Sequence, residues 1–352
     1  MRTVGVEEEF LLLDPRTGVN LPVAETVVAG LPEAMRERSR REFRPSMLEM
    51  VTGVCTGTEE LAQQLRDGRR AAAQAARTAG AVLVAVGATP VAEPDPVPAD
   101  DERFHAIEAH YGPIARDPAL CGCHIHVGVA DPAAAVRVCT RLRADLPLLQ
   151  ALASNSPLSQ GADTGYASWR CVQLRRWPTV GPWPHVDTAA EAAQTIAALV
   201  AASEMMDESM VLWWARPSRT FPTVEVRVTD VCLDPADAVL LAALTRAMVD
   251  TAVDTPAPPV SDILLNAAHG NAARIGMSGT LLDPRTGRAQ PAWDLVGELV
   301  DRVTPALKRH DDLETVTAGL HRIHRDGTGS DRQRRLLAQG LLIPPMLASL
   351  AL

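Results

Sequence analysis

Val224-Glu225-Val226-Arg227-Val228 reads as a strand with two chemistries, three valines on one side and a carboxylate and a guanidinium on the other. The reason is that residues i and i+2 of a strand point to the same face. The pattern recurs. In Val4-Gly5-Val6-Glu7-Glu8-Glu9-Phe10, Glu7 and Glu9 share a face, while Val4, Val6 and Phe10 lie on the other. In Cys123-His124-Ile125-His126-Val127, both imidazoles oppose Ile125 and Val127, and Cys123 sides with Ile125. A fourth short strand over 47–53 sets Glu49 between Leu48 and Met50.

Taken singly, these are a solvated acidic run, a hydrogen-bonded histidine pair and an ion pair worth under ~1 kcal/mol. On one shared sheet they would gather carboxylates, imidazoles and a guanidinium on one face and leave the other to pack against helices. Such a face is costly if dry and unpaired. It suits hard divalent cations that bridge oxygen ligands to phosphates. Glutamates with an imidazole and no thiolate cluster point to Mg²⁺ or Mn²⁺ more than to zinc. Zinc on His124 and His126 is the alternative.

Outward from these strands, the chain of 352 residues, 47% hydrophobic and 22% charged, has the balance of a globular protein with a large core. Its formal charge of −9 argues against nucleic-acid or anionic-membrane partners. Lys308 is the single lysine, so there is no GxxxxGK[ST] phosphate loop, and a Schiff-base mechanism would rest on one residue in a charged segment. The six cysteines form no CxxC pair, and neither a leader-like apolar start nor a membrane-length apolar run is seen. A reduced, cytoplasmic protein is the expectation.

The spacing predicts strands over 3–14, 47–53, 81–86, 123–129 and 223–230. It predicts helices over 59–79 (capped by Thr58), 131–152, 188–208, 236–253, 261–273, 292–307 and 331–350. Residues 154–187, rich in Gly, Pro, Ser, Trp and Arg, read as a long functional loop. The order lacks a β-α-β-α rhythm, so an α+β class and a single catalytic domain over 1–352 are expected.

Several stretches resemble one family. Gly5-Val6-Glu7-Glu8-Glu9-Phe10, Cys121 to Val129, Asn155-Ser156-Pro157, Asp163 to Arg170, Arg176 to Pro182, Arg216-Pro217-Ser218, Pro222 to Asp230 and Asp331-Arg332-Gln333-Arg334 are similar to the YbdK-type branch of the glutamate–cysteine ligases. The resemblance runs in order along almost the whole chain. It implies a glutamine-synthetase-like fold, a curved antiparallel sheet with helices on its outer face. It also implies an ATP-dependent reaction in which a carboxylate is phosphorylated, an amine displaces phosphate, and an amide forms between small substrates. By resemblance, Glu7, Glu9, Glu42, Glu49, His124 and Glu225 match metal ligands. Arg227, Glu225 and Glu49 are assigned to catalysis, Arg227 stabilising the transferred phosphoryl group.

Arg170, Arg176 and Arg216 are candidates for phosphate or carboxylate contacts, because arginine forks grip both. Asn155, Thr164 and Gly165 are expected to shape the substrate pocket. Two departures stand out. Ala215 replaces an acidic residue before Arg-Pro-Ser, and residues 266–276 keep only Arg274 of a Trp- and Arg-rich run, so the family's substrate specificity does not transfer. The expected requirements are ATP and Mg²⁺, with Mn²⁺ as substitute, and a homo-oligomer is a further expectation. The rival readings are a kinase of amino or guanidino compounds, an amidohydrolase using His124 and His126, and a non-catalytic binding relative.

Overall fold

The computed structural model describes residues 1–352. Its strands in chain order are β1 (Val4–Leu13), β2 (Ser39–Arg40), β3 (Met47–Val51), β4 (Val82–Val84), β5 (Gly122–Gly128), β6 (Leu158–Ser159), β7 (Ala162–Asp163), β8 (Ala215–Pro217), β9 (Thr223–Asp230), β10 (Thr280–Asp283) and β11 (Arg288–Pro291). Seven of them make one sheet of order β2-β3-β1-β5-β9-β8, with β4 joined to the far half of β1. Every pairing in it is antiparallel. The strands β6 and β7, and β10 and β11, form two small separate hairpins.

The apolar face is the one that alternation predicts. Val4, Val6, Cys123, Ile125, Val127, Val224, Val226 and Val228 are all buried. They share a core with helices Pro132–Leu142, Leu146–Leu152 and Pro235–Ala252. Each buried valine or isoleucine contributes roughly 1.5–3 kcal/mol, so this row fixes which face turns inward. A second core collects Phe10 to Leu13, Leu48, Leu83 and the alanine-rich side of helix Thr58–Thr78.

One irregularity changes which residues reach the polar face. Across β5 and β9, His126 pairs with Glu225 and Ile125 with Val226, but Cys123 pairs with Thr229 and Gly122 with Asp230. An extra residue is thus inserted in β9 at Arg227-Val228. A β-bulge reverses side-chain parity beyond it. Asp230, which strict alternation would set beside the valines, is therefore brought onto the face of Glu225, as the partner of Gly122.

Elsewhere the structure corrects boundaries. Gly57, not Thr58, is the N-cap of Thr58–Thr78. The helix expected over 131–152 is two, because Pro147 lacks an N–H and is tolerated only in a first turn, so a new helix starts at Leu146. Asp131 caps the first of them by accepting from Ala134 N at 2.7 Å. The helix expected over 188–208 ends at Ala201, and the one over 331–350 is split around Gly340 at φ +90°. The loop over 154–187 contains the β6–β7 hairpin and a short helix, Trp169–Leu174. Helices Glu102–Tyr111 and Leu313–Asp326 were absent from the predicted elements. No helix is long and apolar enough to cross a membrane.

Candidate active site

Pairing of the strands brings the predicted polar residues together. Glu7 of β1 is the register partner of His124, Glu9 is the partner of Glu49 on β3, and Glu225 is the partner of Arg216 on β8. With Glu42, His126 and Arg227 they line a cleft of ≈ 560 Å³, whose mouth carries Ser218, Arg219, Thr220 and Phe221 from the β8–β9 turn. Phe221 supplies the one apolar side chain in the lining.

Within the cleft, His124 Nδ1 lies 3.3 Å from Glu7 Oε2, and its Nε2 lies 4.0 Å from Glu9 Oε1. His126 Nδ1 is 3.0 Å from Thr223 Oγ1, and its Nε2 is 3.2 Å from Glu7 Oε1. Arg216 grips Glu225 with Nε at 2.8 Å and Nη2 at 3.1 Å, and Arg227 Nη1 donates to the same carboxylate. The Gly122 amide donates to Glu9.

Two sets of ligand atoms lie within 4.8 Å of one another, Glu7–His124–Glu225 and Glu9–Glu49–His124. Both include His124 and neither includes His126, although the His126 Nε2 is likewise buried without a hydrogen-bond partner. Three observations fit a divalent cation. His124 is 3% exposed and its Nε2 has no hydrogen-bond partner. Burial, then the Arg227 charge, hold its pKa below the usual imidazole value, which favours the neutral ring. And the cleft gathers five glutamates against three arginines, Arg216, Arg219 and Arg227, still a surplus of acidic groups.

The pKa values record that surplus. Burial and the neighbouring Glu9 carboxylate push Glu42 up to about 8. Burial, with Glu42, Glu7 and Glu9 around it, holds Glu49 well above the usual carboxylate range. Glu7 and Glu225 go the other way. Burial opposes their charge, but His124 and His126 outweigh it for Glu7, and Arg227 and Arg216 outweigh it for Glu225.

The remaining predicted contacts lie outside the cleft lining, each for a visible reason. Asn155 is buried and satisfied: its Nδ2 donates to Ala85 O and Val231 O, both at 2.8 Å, and its Oδ1 accepts from Gln333 at 2.7 Å. Thr164 Oγ1 donates to Pro157 O, and Gly165 is an exposed turn residue at φ +77°. Arg176 is exposed and paired with Asp117. Arg274 is exposed at the end of helix Asp262–Ile275. Arg170 is buried, but its Nη2 donates to the Arg227 carbonyl at 3.3 Å.

The two departures also fall elsewhere. Ala215 is fully buried in the core. The 266–276 stretch braces the 167–168 segment, with Ala273 O and Arg274 O accepting from Ser168 N and Ala167 N. Asp230 is the residue that sequence reasoning missed. It accepts from Asn155 N at 2.9 Å, Ser156 Oγ at 2.7 Å and Ser168 Oγ at 2.9 Å. Only knowledge of the bulge could have placed it there.

Comparison with known proteins gives the family and the fold. The model of glutamate-cysteine ligase family 2 matches residues 3–345. A relative from Salinispora arenicola, provisionally named glutamate–cysteine ligase 2, is 53% identical over 340 residues, covering 95% of this chain and 90% of its own. Another of the same provisional name, from Salinispora tropica, is 52% identical over 355 residues, covering 99% and 94%. Among solved structures, the glutamate–cysteine ligase of Francisella tularensis in complex with AMP superposes with a TM-score of 0.70 at 13% identity, covering 99% of this chain and 87% of that one. A bifunctional glutathione synthetase from Pasteurella multocida gives 0.69 at 13% identity, covering 99% and 51%. At that identity the likeness is one of fold.

Proposed function

The chain belongs to glutamate-cysteine ligase family 2 and is an ATP-dependent carboxylate–amine ligase acting on small molecules, and from that premise we propose that the polar sheet face is where both half-reactions occur. The observation that carries this reading is the pair of three-ligand groups sharing His124, flanked by Arg216 and Arg227. Either Glu9, Glu49 and His124 or Glu7, Glu225 and His124 would hold a divalent cation, since a neutral imidazole has one free lone pair to give, with Glu42 beside the first group. The carboxylate-rich donor set favours Mg²⁺ or Mn²⁺. When bound, the cation draws charge from the phosphates of ATP.

In the first half-reaction a substrate carboxylate oxygen attacks the γ-phosphorus and ADP leaves. Arg227, held in place by Glu225, presents its guanidinium to the charge on the transferred group. Arg216 is anchored by the same carboxylate and adds a second fixed positive charge. In the second half-reaction the amine nitrogen attacks the acyl carbon and loses a proton as phosphate departs. Residues 1–352 act as one catalytic domain in this reading, in a reducing cytoplasmic setting consistent with six free, buried cysteines. The acid and the amine are amino-acid-like. Glutamate and cysteine, named in the relatives, are the first pair to try.

The test is product analysis with Mg·ATP and pools of amino acids and amines, each pool supplied and omitted in turn. ADP with free phosphate appearing only when acid and amine are both present supports the proposal. ADP with a phosphorylated product and no free phosphate, or amide hydrolysis without nucleotide, contradicts it.

A further inference from the structure

Arg227 is not held in place from the cleft side alone. It sits at the bulge in β9, where the ladder to β5 is disturbed, while its amide still donates to Trp214 O at 2.8 Å on the other side. Two carbonyls at this irregularity are engaged by one short helix, Trp169–Leu174. Arg170 Nη2 donates to Arg227 O at 3.3 Å, and Cys171 Sγ donates to Val228 O at 3.5 Å.

That helix is itself tied to the same strand. Its N-cap Ser168 and the neighbouring Ser156 donate to Asp230, and Ser156 Oγ accepts from Arg170 N at 3.1 Å. Arg170 is 4% exposed, with Nη1 lying 3.9 Å from Asp230 Oδ1. Its Nε and Nη1 make no hydrogen bond, so the guanidinium is spent on the Arg227 carbonyl and the Asp230 charge alone. Gly122 makes room for it, since a Cβ there would collide with the guanidinium.

We propose that Arg170 is a positioning residue for Arg227. By clamping the bulge between its own guanidinium and Asp230, it sets the backbone from which Arg227 reaches Glu225 and the reacting phosphoryl group. Arg170 lies outside the cleft lining, and its effect passes through the backbone of residue 227. The inference rests on the ligase reading for the role of Arg227, and it reassigns Arg170 from ligand contact to support.

A structural role alone would also make Arg170 important, so the test separates the two. Arg170→Met strands the buried Asp230 charge, whereas Arg170→Met combined with Asp230→Asn removes both charges, keeps an acceptor for Ser156 and the Asn155 amide, and turns an amide N–H toward the Ser168 hydroxyl. Phosphate release from Mg·ATP with the amino-acid and amine pools, the dissociation constant for Mg·AMPPNP and the melting temperature are measured for wild type, both variants and Arg170→Lys.

We expect Arg170→Met to lower the melting temperature and to cut phosphate release on the order of 10²-fold, the usual result of a small misplacement at a reacting centre. The double variant recovers the melting temperature but not the phosphate release. Arg170→Lys, which keeps one donor and the charge, recovers part of both. Full recovery of turnover with stability in the double variant, or wild-type turnover in Arg170→Met, overturns the proposal. If wild type itself releases no phosphate with any pool, that failure belongs to the ligase reading. The Mg·AMPPNP constant then decides, about 10-fold weaker in the double variant if Arg170 positions Arg227, and unchanged if it does not.

Discussion

The sheet carries a Glu–Arg cluster on each face, and the two are built differently. On the packed face Glu8 meets Arg69 from helix Thr58–Thr78, with Nε at 3.0 Å and Nη2 at 2.5 Å. Arg69 spends its remaining donors on Cys232 O at 2.7 Å and Leu233 O at 3.1 Å. One carboxylate faces one guanidinium, and every group is satisfied. On the cleft face, one residue away along the same strand, five glutamates meet three arginines and two imidazoles whose Nε2 atoms have no hydrogen-bond partner. Burial alone does not separate the two, since Glu225 and His124 are as buried as Arg69. What separates them is balance. A closed pair fastens a helix to a sheet, and an open, over-acidic cluster is a place for a cation.

If that contrast is right, substitutions on the two faces should fail in different measurements. The largest expected effect is on turnover. Arg227→Ala should slow phosphate release by ~10²–10⁴-fold with a melting temperature close to wild type, read by steady-state kinetics beside a thermal melt. Arg69→Met should do the reverse. It leaves Glu8 charged, buried and unpaired, costing about 3–5 kcal/mol in a urea unfolding curve, while turnover per folded molecule stays near wild type. A large kinetic loss in Arg69→Met at full stability would erase the distinction between the faces.

A smaller effect sharpens it through pH. Glu42 keeps its proton to about pH 8 in the folded protein, against 4.5 for an ordinary glutamate. Between those values the folded state binds the extra proton, so the stability of metal-free protein should fall as pH rises through the window. A saturating divalent cation displaces that proton and should flatten the slope. Melting temperatures followed from about pH 5 to about pH 8, with and without Mg²⁺, check both halves. Least of all should change in His126→Gln, because His126 belongs to neither ligand group. Its Mn²⁺ affinity should stay within a few-fold of wild type in a titration.

Strand alternation made most of the cleft legible. Glu7, Glu9, Glu49, His124, Glu225 and Arg227 each follow from parity against an apolar neighbour, and antiparallel pairing then brings them together. The same parity rule turns Glu8 into the core, but its partner Arg69 is 61 residues away on a helix, and no local pattern announces that contact. Asp230 was hidden by the inserted residue at Arg227-Val228, which inverts parity beyond it. Asn155, Arg170 and Arg176 lie outside the cleft lining, which the sequence does not announce, for a related reason. Polar residues in a Gly- and Pro-rich segment resemble ligand contacts until their tertiary partners are known, here Ala85, Val231 and Gln333 for Asn155, the Arg227 carbonyl for Arg170 and Asp117 for Arg176. Helix boundaries failed where a proline inside an amphipathic run forced a restart, as at Pro147.

Every functional role assigned to the cleft depends on the over-acidic face holding a divalent cation through His124. Mn²⁺ titration of wild type and His124→Ala, followed by the electron paramagnetic resonance signal of free ion, tests that dependence most directly. Tight binding by wild type that weakens by more than about 10-fold in His124→Ala, through the loss of a ligand common to both groups, is the predicted result. A wild type that leaves the ion free, or a His124→Ala variant that binds it as well as wild type, would contradict the assignment of this face as the reaction centre.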